Sequence, residues 1–325
     1  MIARHPSLVL SDRQRRRHKL RNLVQSTLLV LAMLAILGGC AGFVWGWAGL
    51  LWAVALTLLS LLLTPSVVPE WVMRAYGAVP LGPEDFPEGV ALLHRLAARA
   101  GLERPPRLYW LPTSLLNAFA VGRPERAAIG LSDGLLRALD ARELAGVLAH
   151  ELSHVRNDDL WIMGLADVVS RLTSLLSWLG QMLLLLNLPF LVSGAVPVPW
   201  LVVLLLVLAP TLVGLLQLAL SRAREFEADL DAAALTGDPQ GLARALAKLE
   251  RYQGRYWEEI LYPGRRIPVP SLLRTHPPTE ERIRRLLDLL EPDEPPLEPA
   301  GRLVLPAGLR VVTGPPRWHR SGAWY

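Results

Sequence analysis

Two stretches of the chain contain no charged residue at all, residues 22–69 and residues 172–221, runs of 48 and 50 positions. A helix needs about 20 apolar residues to cross a bilayer, so each run holds two spans and a turn. The first run divides near Gly38, Gly39, Gly42 and Gly46, which predicts spans over 23–43 and 46–66. Trp45 and Trp47 then fall at the turn, where interfacial aromatics belong. The second run divides between Asn187 and Pro199, where Pro189, Gly194, Pro197 and Pro199 oppose a continuous helix and leave spans over 168–189 and 200–221. A buried hairpin of a soluble core would show one polar stripe, and the 172–221 run shows none.

Between and beyond these runs the polar positions follow other periods. Residues 83–101 read as a helix, with Val90, Leu93, Leu96, Ala97 and Ala100 at helical spacing and Gly101 as the stop. Residues 107–111, 117–121 and 127–131 are short apolar segments separated by Pro, Ser, Gly and Arg, which predicts three strands of a small sheet. Ser132 can cap a short helix to Leu139. Asp140, followed three residues later by Glu143, marks the next helix start, and Val147, Leu148, Leu152 and Val155 form its apolar face. Near the C-terminus, Thr279 can cap a helix whose stripe is Ile283, Leu286, Leu287 and Leu290.

Composition narrows the class. The chain has 325 residues, 52% hydrophobic and 19% charged, with a mean hydropathy of +0.31. That excludes disorder and an ordinary soluble enzyme. The net charge is +5, but residues 1–21 hold seven basic residues against one acidic residue, so the excess is a local flank and not a nucleic-acid surface. Positive flanks stay cytoplasmic, which puts the N-terminus inside. Because the spans come in pairs, residues 70–171 and 222–325 are expected there too. The first apolar run is far longer than the roughly 7–15 residues of a signal peptide and lacks a convincing cleavage site, so it reads as an uncleaved anchor. Cys40 is the single cysteine, which leaves no disulfide framework and no cysteine cluster for a metal. No glycine-rich phosphate loop is present, so ATP dependence is not expected.

The helix after Asp140 carries His150-Glu151-Leu152-Ser153-His154. Histidines four apart stand one above the other on one face, so both can reach one Zn2+ at about 2.0–2.1 Å, with Glu151 alongside to act on a water. A catalytic zinc needs a third protein ligand and an open fourth position. The segment Ser221-Arg-Ala-Arg-Glu225-Phe-Glu-Ala-Asp229 follows the last span directly. The intervening hairpin returns to the same membrane side, so Glu225 can meet the histidines although it lies 71 residues after His154. Asp229, one turn on, can accept the distal N–H of a ligating histidine. Glu227 and Asp231 fall elsewhere on the helix. Spacing alone fits equally a solvated acidic face in which Glu225 and Asp229 pair with Arg222 and Arg224.

Taken together, HELSH at 150–154, SRAREFEAD at 221–229, LLNAFAVG at 115–122 and THPPTEERI at 275–283 resemble the HtpX-type membrane metalloproteases, gluzincins related to the CaaX prenyl endopeptidase, over about residues 85–290. The resemblance implies His150, His154 and Glu225 as ligands of one zinc per chain and Glu151 as the general base. It also implies that Asn117, Ala118, Phe119 and Ala120 belong to an edge strand holding extended substrate by main-chain bonds; an ordinary buried strand, with Asn117 in a turn, fits the same residues. His276 and Arg282 fall in the resembled element near the cleft. His276 is a candidate donor to the oxyanion, or else a loop residue before two prolines, and Arg282 is a candidate to orient a carboxylate. Misfolded or damaged membrane proteins are the implied substrates, in a stress response. Residues 291–325 extend past the resembled part, and their Pro-rich opening indicates a linker.

The expected molecule is mainly α and membrane-bound, with about four transmembrane helices and a cytoplasmic zincin-like α+β protease domain whose small sheet lies beside the HExxH helix. Its expected parts are a basic tail over 1–22, a hairpin over 23–69, protease domain over 70–167, a second hairpin over 168–221, protease domain again over 222–290, and the extension over 291–325. Its partners are protein substrates and the bilayer, without nucleic acid, and its place is the inner cell membrane with N-terminus and active site cytoplasmic. A protease cutting inside the bilayer is a rival, disfavoured because Arg142, Glu143, Arg156, Asp158 and Asp159 flank the motif. A non-catalytic zinc scaffold is the other, and Glu151 speaks against it, since a structural site needs no base and closes its fourth position with a protein ligand.

Overall fold

A computed structural model describes residues 12–63, 69–192, 200–261 and 278–289. In chain order it contains α1 (Asp12–Leu63), α2 (Pro69–Ala75), β1 (Val79–Pro80), α3 (Pro87–Ala100), β2 (Arg107–Leu111), β3 (Ala118–Arg123) and β4 (Arg126–Ser132). There follow α4 (Asp133–Ala138), α5 (Ala141–Arg156), α6 (Asp159–Leu186), α7 (Leu188–Val192), α8 (Trp200–Thr236), α9 (Pro239–Leu261) and α10 (Thr279–Leu287). Two compact units result, one from Leu20–Pro65 and Trp161–Ala223, the other chiefly from Ser66–Leu160 and the chain from Arg224 on.

The first unit is a helical assembly with its apolar side chains outward. Trp47, Trp52, Leu186 and Leu204 are exposed, while Met33, Leu37, Cys40, Val169, Leu206 and Val213 pack inside. An apolar exterior of this extent is what a lipid-facing surface requires. Inside it, the hydroxyls of Thr173 and Ser177 donate to the carbonyls of Val169 at 2.8 Å and Leu206 at 2.6 Å. Among the described residues the four expected spans appear as three helices long and apolar enough to cross a membrane, Leu23–Ser60, Asp159–Leu186 and Trp200–Thr236. The first of these is broken where the division was expected. Trp45 and Gly46 leave helical geometry, Gly46 with φ 60° and ψ −145°, a region that only glycine occupies without strain. Past this break the chain doubles back, with Gly49 against the carbonyl of Ala41 and Gly38 opposite the side chain of Leu50.

The other two spans are longer than apolarity alone indicates. α6 begins at Asp159 and not at 168, because the Asp167–Arg171 pair, 2.8 Å apart at i,i+4, sits on the helix surface without interrupting it. α8 runs to Thr236 and not to 221, so one helix carries both the span and the acidic segment behind it. The turn expected between them falls partly on residues 193–199, outside the described residues.

The second unit is the α+β part. Its sheet has the order β1-β2-β4-β3, with β2 and β4 parallel and the outer pairs antiparallel. The three expected strands are present, β2 with the expected ends and β3 and β4 with ends shifted by one or two residues, and β1, a two-residue pairing, is additional. Asn117 precedes β3: its N–H donates to the Ser132 hydroxyl at 2.9 Å, and the same hydroxyl caps α4 through the N–H of Leu135 at 3.2 Å. α3 starts at Pro87, later than expected, and ends at Gly101 in the left-handed conformation (φ 73°). Thr279 opens α10, but the cap position is Pro278, which has no side chain that could accept, so the expected threonine cap is not formed. Leu144, Leu148 and Leu152 of α5 join Phe86, Leu93, Ile129, Leu135 and Leu242 in the core. Gly146 lets the α9 backbone approach, since a Cβ there would sit 2.8 Å from Leu242 Cα.

Candidate active site

The helix that bears the site is held at its start. Asp140 and Glu143 accept from each other's backbone N–H at 2.9 Å, the reciprocal cap expected from the sequence, and Lys248 Nζ reaches Glu143 at 2.6 Å. One turn past Gly146 come His150, which is buried, then Glu151 and His154, which are partly exposed. The two imidazoles meet edge to face with centroids 4.7 Å apart and their Nε2 atoms 3.2 Å apart.

Glu225 of α8 completes this face. Its Oε2 lies 3.5 Å from His150 Nε2, and its Oε1 lies 3.9 Å from His154 Nε2. Among the described residues, His150, His154 and Glu225 form the one group able to hold a metal ion, with ligand atoms all within 4.8 Å of one another. Two imidazole nitrogens and one carboxylate form a donor set that suits Zn2+ with a position left open. The outer nitrogens support this: His150 Nδ1 is 3.0 Å from Asp229 Oδ1, and His154 Nδ1 is 2.7 Å from Asp159 Oδ2. With their Nδ1 atoms so engaged, both rings aim Nε2 at the same point.

Arg282 of α10 closes the other side. It forks onto Asp229 with Nε and Nη2, each at 2.7 Å, and its Nη1 lies 2.9 Å from Glu225 Oε2. Arg285, one turn on, stacks over Phe226 at 3.7 Å, which ties α10 to α8 beside Glu225. Burial opposes charge on His150, yet its hydrogen bonds to Asp229 and Glu225, which accept from the ring, outweigh it and push the pKa up to about 10. Burial likewise opposes charge on Arg282, and Asp229 and Glu225 override it and raise its pKa.

Glu225 and Asp229 are 8% and 4% exposed, so the solvated-face reading of this segment fails. Arg224 turns to Asp159 and Glu227, and Asp231 accepts from Asn157 at 3.1 Å. His276 lies outside the described residues. Ala118, Phe119 and Ala120 lie on β3, at the end of the sheet order and against α5. Sequence reasoning missed Asp159 and Arg224. The available signal was a carboxylate five residues after the second histidine, although only the folded turn shows which of Asp158 and Asp159 faces the ring.

The motif order that resembled a known protease group is matched by comparison with other proteins. Residues 84–290 match the model of peptidase family M48. A protease HtpX homolog of Acidiphilium cryptum (strain JF-5) is 37% identical over 290 residues, covering 84% of this chain and 98% of its own. A protease HtpX homolog of Acaryochloris marina (strain MBIC 11017) is 39% identical over 279 residues, covering 81% and 90%. The crystal structure of S. mikatae Ste24p aligns with a TM-score of 0.47 at 20% identity, covering 83% of this chain and 66% of that one. With near full-length relatives above 30% identity and a family match across both halves of the site, this chain belongs to peptidase family M48 and is a membrane-anchored metalloprotease.

Proposed function

We propose that the chain is a zinc endopeptidase holding one Zn2+ on His150, His154 and Glu225 and cutting protein substrates at the cytoplasmic face of the inner membrane. The observation that carries the reading is the convergence of three ligand atoms within 4.8 Å, with the Nδ1 atoms of both histidines on buried carboxylates. A zinc ion there would supply Lewis acidity toward the scissile carbonyl and acidify a water to a pKa of about 7. Glu151, next to His150 and more open to solvent, takes the proton of the attacking water and returns it to the leaving amine. Asp229 fixes the His150 ring, and Arg282 fixes Asp229 and Glu225. Substrate adds to the side of β3 that no strand pairs among the described residues, as an extended strand through main-chain bonds around Ala118, Phe119 and Ala120. His276 remains the candidate oxyanion donor of the same reading. The likeness to HtpX-type proteases and three helices long and apolar enough to cross a membrane favour misfolded or damaged membrane proteins as substrates.

The test pairs zinc content with cleavage of an unfolded protein such as casein, in detergent-purified wild type, Glu151→Gln and Glu225→Ala. One zinc per chain is expected in wild type, retained without cleavage in Glu151→Gln and lost or weakened in Glu225→Ala. Cleavage by Glu151→Gln would overturn the base assignment. Zinc without cleavage in every form would favour the scaffold.

A further inference from the structure

The Asp159 carboxylate behind His154 belongs to a run of buried charges that joins this histidine to the helix of the third ligand. α5 ends at Arg156, Asn157 takes the cap, and Asp158 adopts a left-handed φ of 55°. The backbone therefore reverses and returns Asp159, the first residue of α6, to His154. Asp159 uses its two oxygens for different partners. Oδ2 lies 2.7 Å from His154 Nδ1, while Oδ1 accepts from Arg224 Nε at 2.6 Å and pairs with Nη2 of the same guanidinium. Arg224 Nη1 donates in turn to Glu227 Oε2 at 2.7 Å. Asp159, Arg224 and Glu227 are all buried, and Arg224 immediately precedes Glu225.

We infer that Asp159 is the positioning residue of His154 and that Arg224 fixes Asp159 from the helix bearing Glu225, so that one Asp159–Arg224–Glu227 chain sets the second histidine and the third ligand in register. The inference rests on the reading of His154 as a zinc ligand. A histidine that ligates through Nε2 must carry its proton on Nδ1, and a carboxylate there fixes tautomer and ring plane and raises the basicity of the ligating nitrogen. The site is symmetric in this respect: His150 leans on Asp229 held by Arg282, and His154 leans on Asp159 held by Arg224. A carboxylate fixed at one oxygen by a planar fork cannot rotate away from the imidazole at the other. Glu227 holds the third nitrogen of the same guanidinium, so Arg224 is fixed from both ends.

The experiment uses full-length detergent-solubilised protein. Zinc affinity is read by competition with a chromophoric chelator and ligand geometry by the visible bands of the Co2+ form, with thermal melting as the folding check. Asp159→Asn is expected to weaken zinc by about 10–100-fold and to shift the cobalt bands. Arg224→Gln is expected to lose roughly tenfold, and Arg224→Lys, which keeps the charge, to recover part of it. A folded Asp159→Asn with wild-type affinity and bands overturns the inference. If Asp159→Asn does not fold, the arginine pair decides: recovery by lysine supports it, and equal affinity in both variants overturns it. His154→Ala separates the two levels. If it binds zinc as wild type does, the ligand reading fails and this inference with it; if it loses zinc while Asp159→Asn does not, this inference alone falls.

Discussion

Arg282 touches both Asp229 and Glu225, with bonds of 2.7 Å to Asp229 and 2.9 Å to Glu225. Removing one partner from a buried ionic group leaves uncompensated charge and costs about 3–5 kcal/mol. Arg282→Met should therefore lower the melting temperature of chelator-treated protein strongly. With zinc present the ion supplies positive charge to Glu225, and the drop should be smaller. Equal drops in both conditions would show that packing, not charge, explains the effect. Asp158 offers a second residue-level check, because its φ of 55° lies where side chains other than glycine and a few polar ones are strained. Asp158→Gly should leave stability near the wild-type value, whereas Asp158→Val should cost about 1–2 kcal/mol, read as a melting shift in the zinc-bound form.

At the scale of elements, the order β1-β2-β4-β3 leaves the far side of β3 unpaired by strands among the described residues, and α5 lies beside it. An open edge next to the HExxH helix makes main-chain recognition testable without altering the protein. Peptides N-methylated at alternate amides near the cleaved bond should lose cleavage at the positions that donate to β3 and keep it at those that face away. Indifference to N-methylation at every position would sink strand addition. The strand over 117–121 was legible as a short apolar run ending at Gly122 and Arg123, its place at an edge was implied by the family resemblance alone, and the caps at Ser132 and Asp140 were legible because capping is local. What the sequence hid depends on distance along the chain. Arg224 meets Asp159 across 65 residues and Arg282 meets Asp229 across 53, and no local period records such a contact. β1 is a two-residue pairing with no pattern of its own, and the ends of α6 and α8 were hidden because apolarity marks what a bilayer tolerates while a helix continues through charged positions.

At the scale of the molecule, the division into two units follows from where charge is absent. The unit of Leu20–Pro65 and Trp161–Ala223 is built almost wholly from the uncharged runs, and the unit bearing His150, His154 and Glu225 takes up the charged sequence between and after them. Only the side of the membrane is left to charge bias, since seven basic residues precede the first apolar run. Cys40 makes that side measurable. It is the single cysteine and is 1% exposed within the first unit, so the wild-type chain serves as a background that reacts little with polar thiol reagents. Glu103 is exposed on the unit that bears the site, in the segment between α3 and β2. A Glu103→Cys protein should resist a membrane-impermeant maleimide in cells whose inner membrane is intact and react once that membrane is permeabilised. Labelling in cells with an intact inner membrane would place the site on the outer side of that membrane. It would also reverse the proposed substrates, because a protease there meets secreted and periplasmic chains in place of the cytoplasmic faces of membrane proteins.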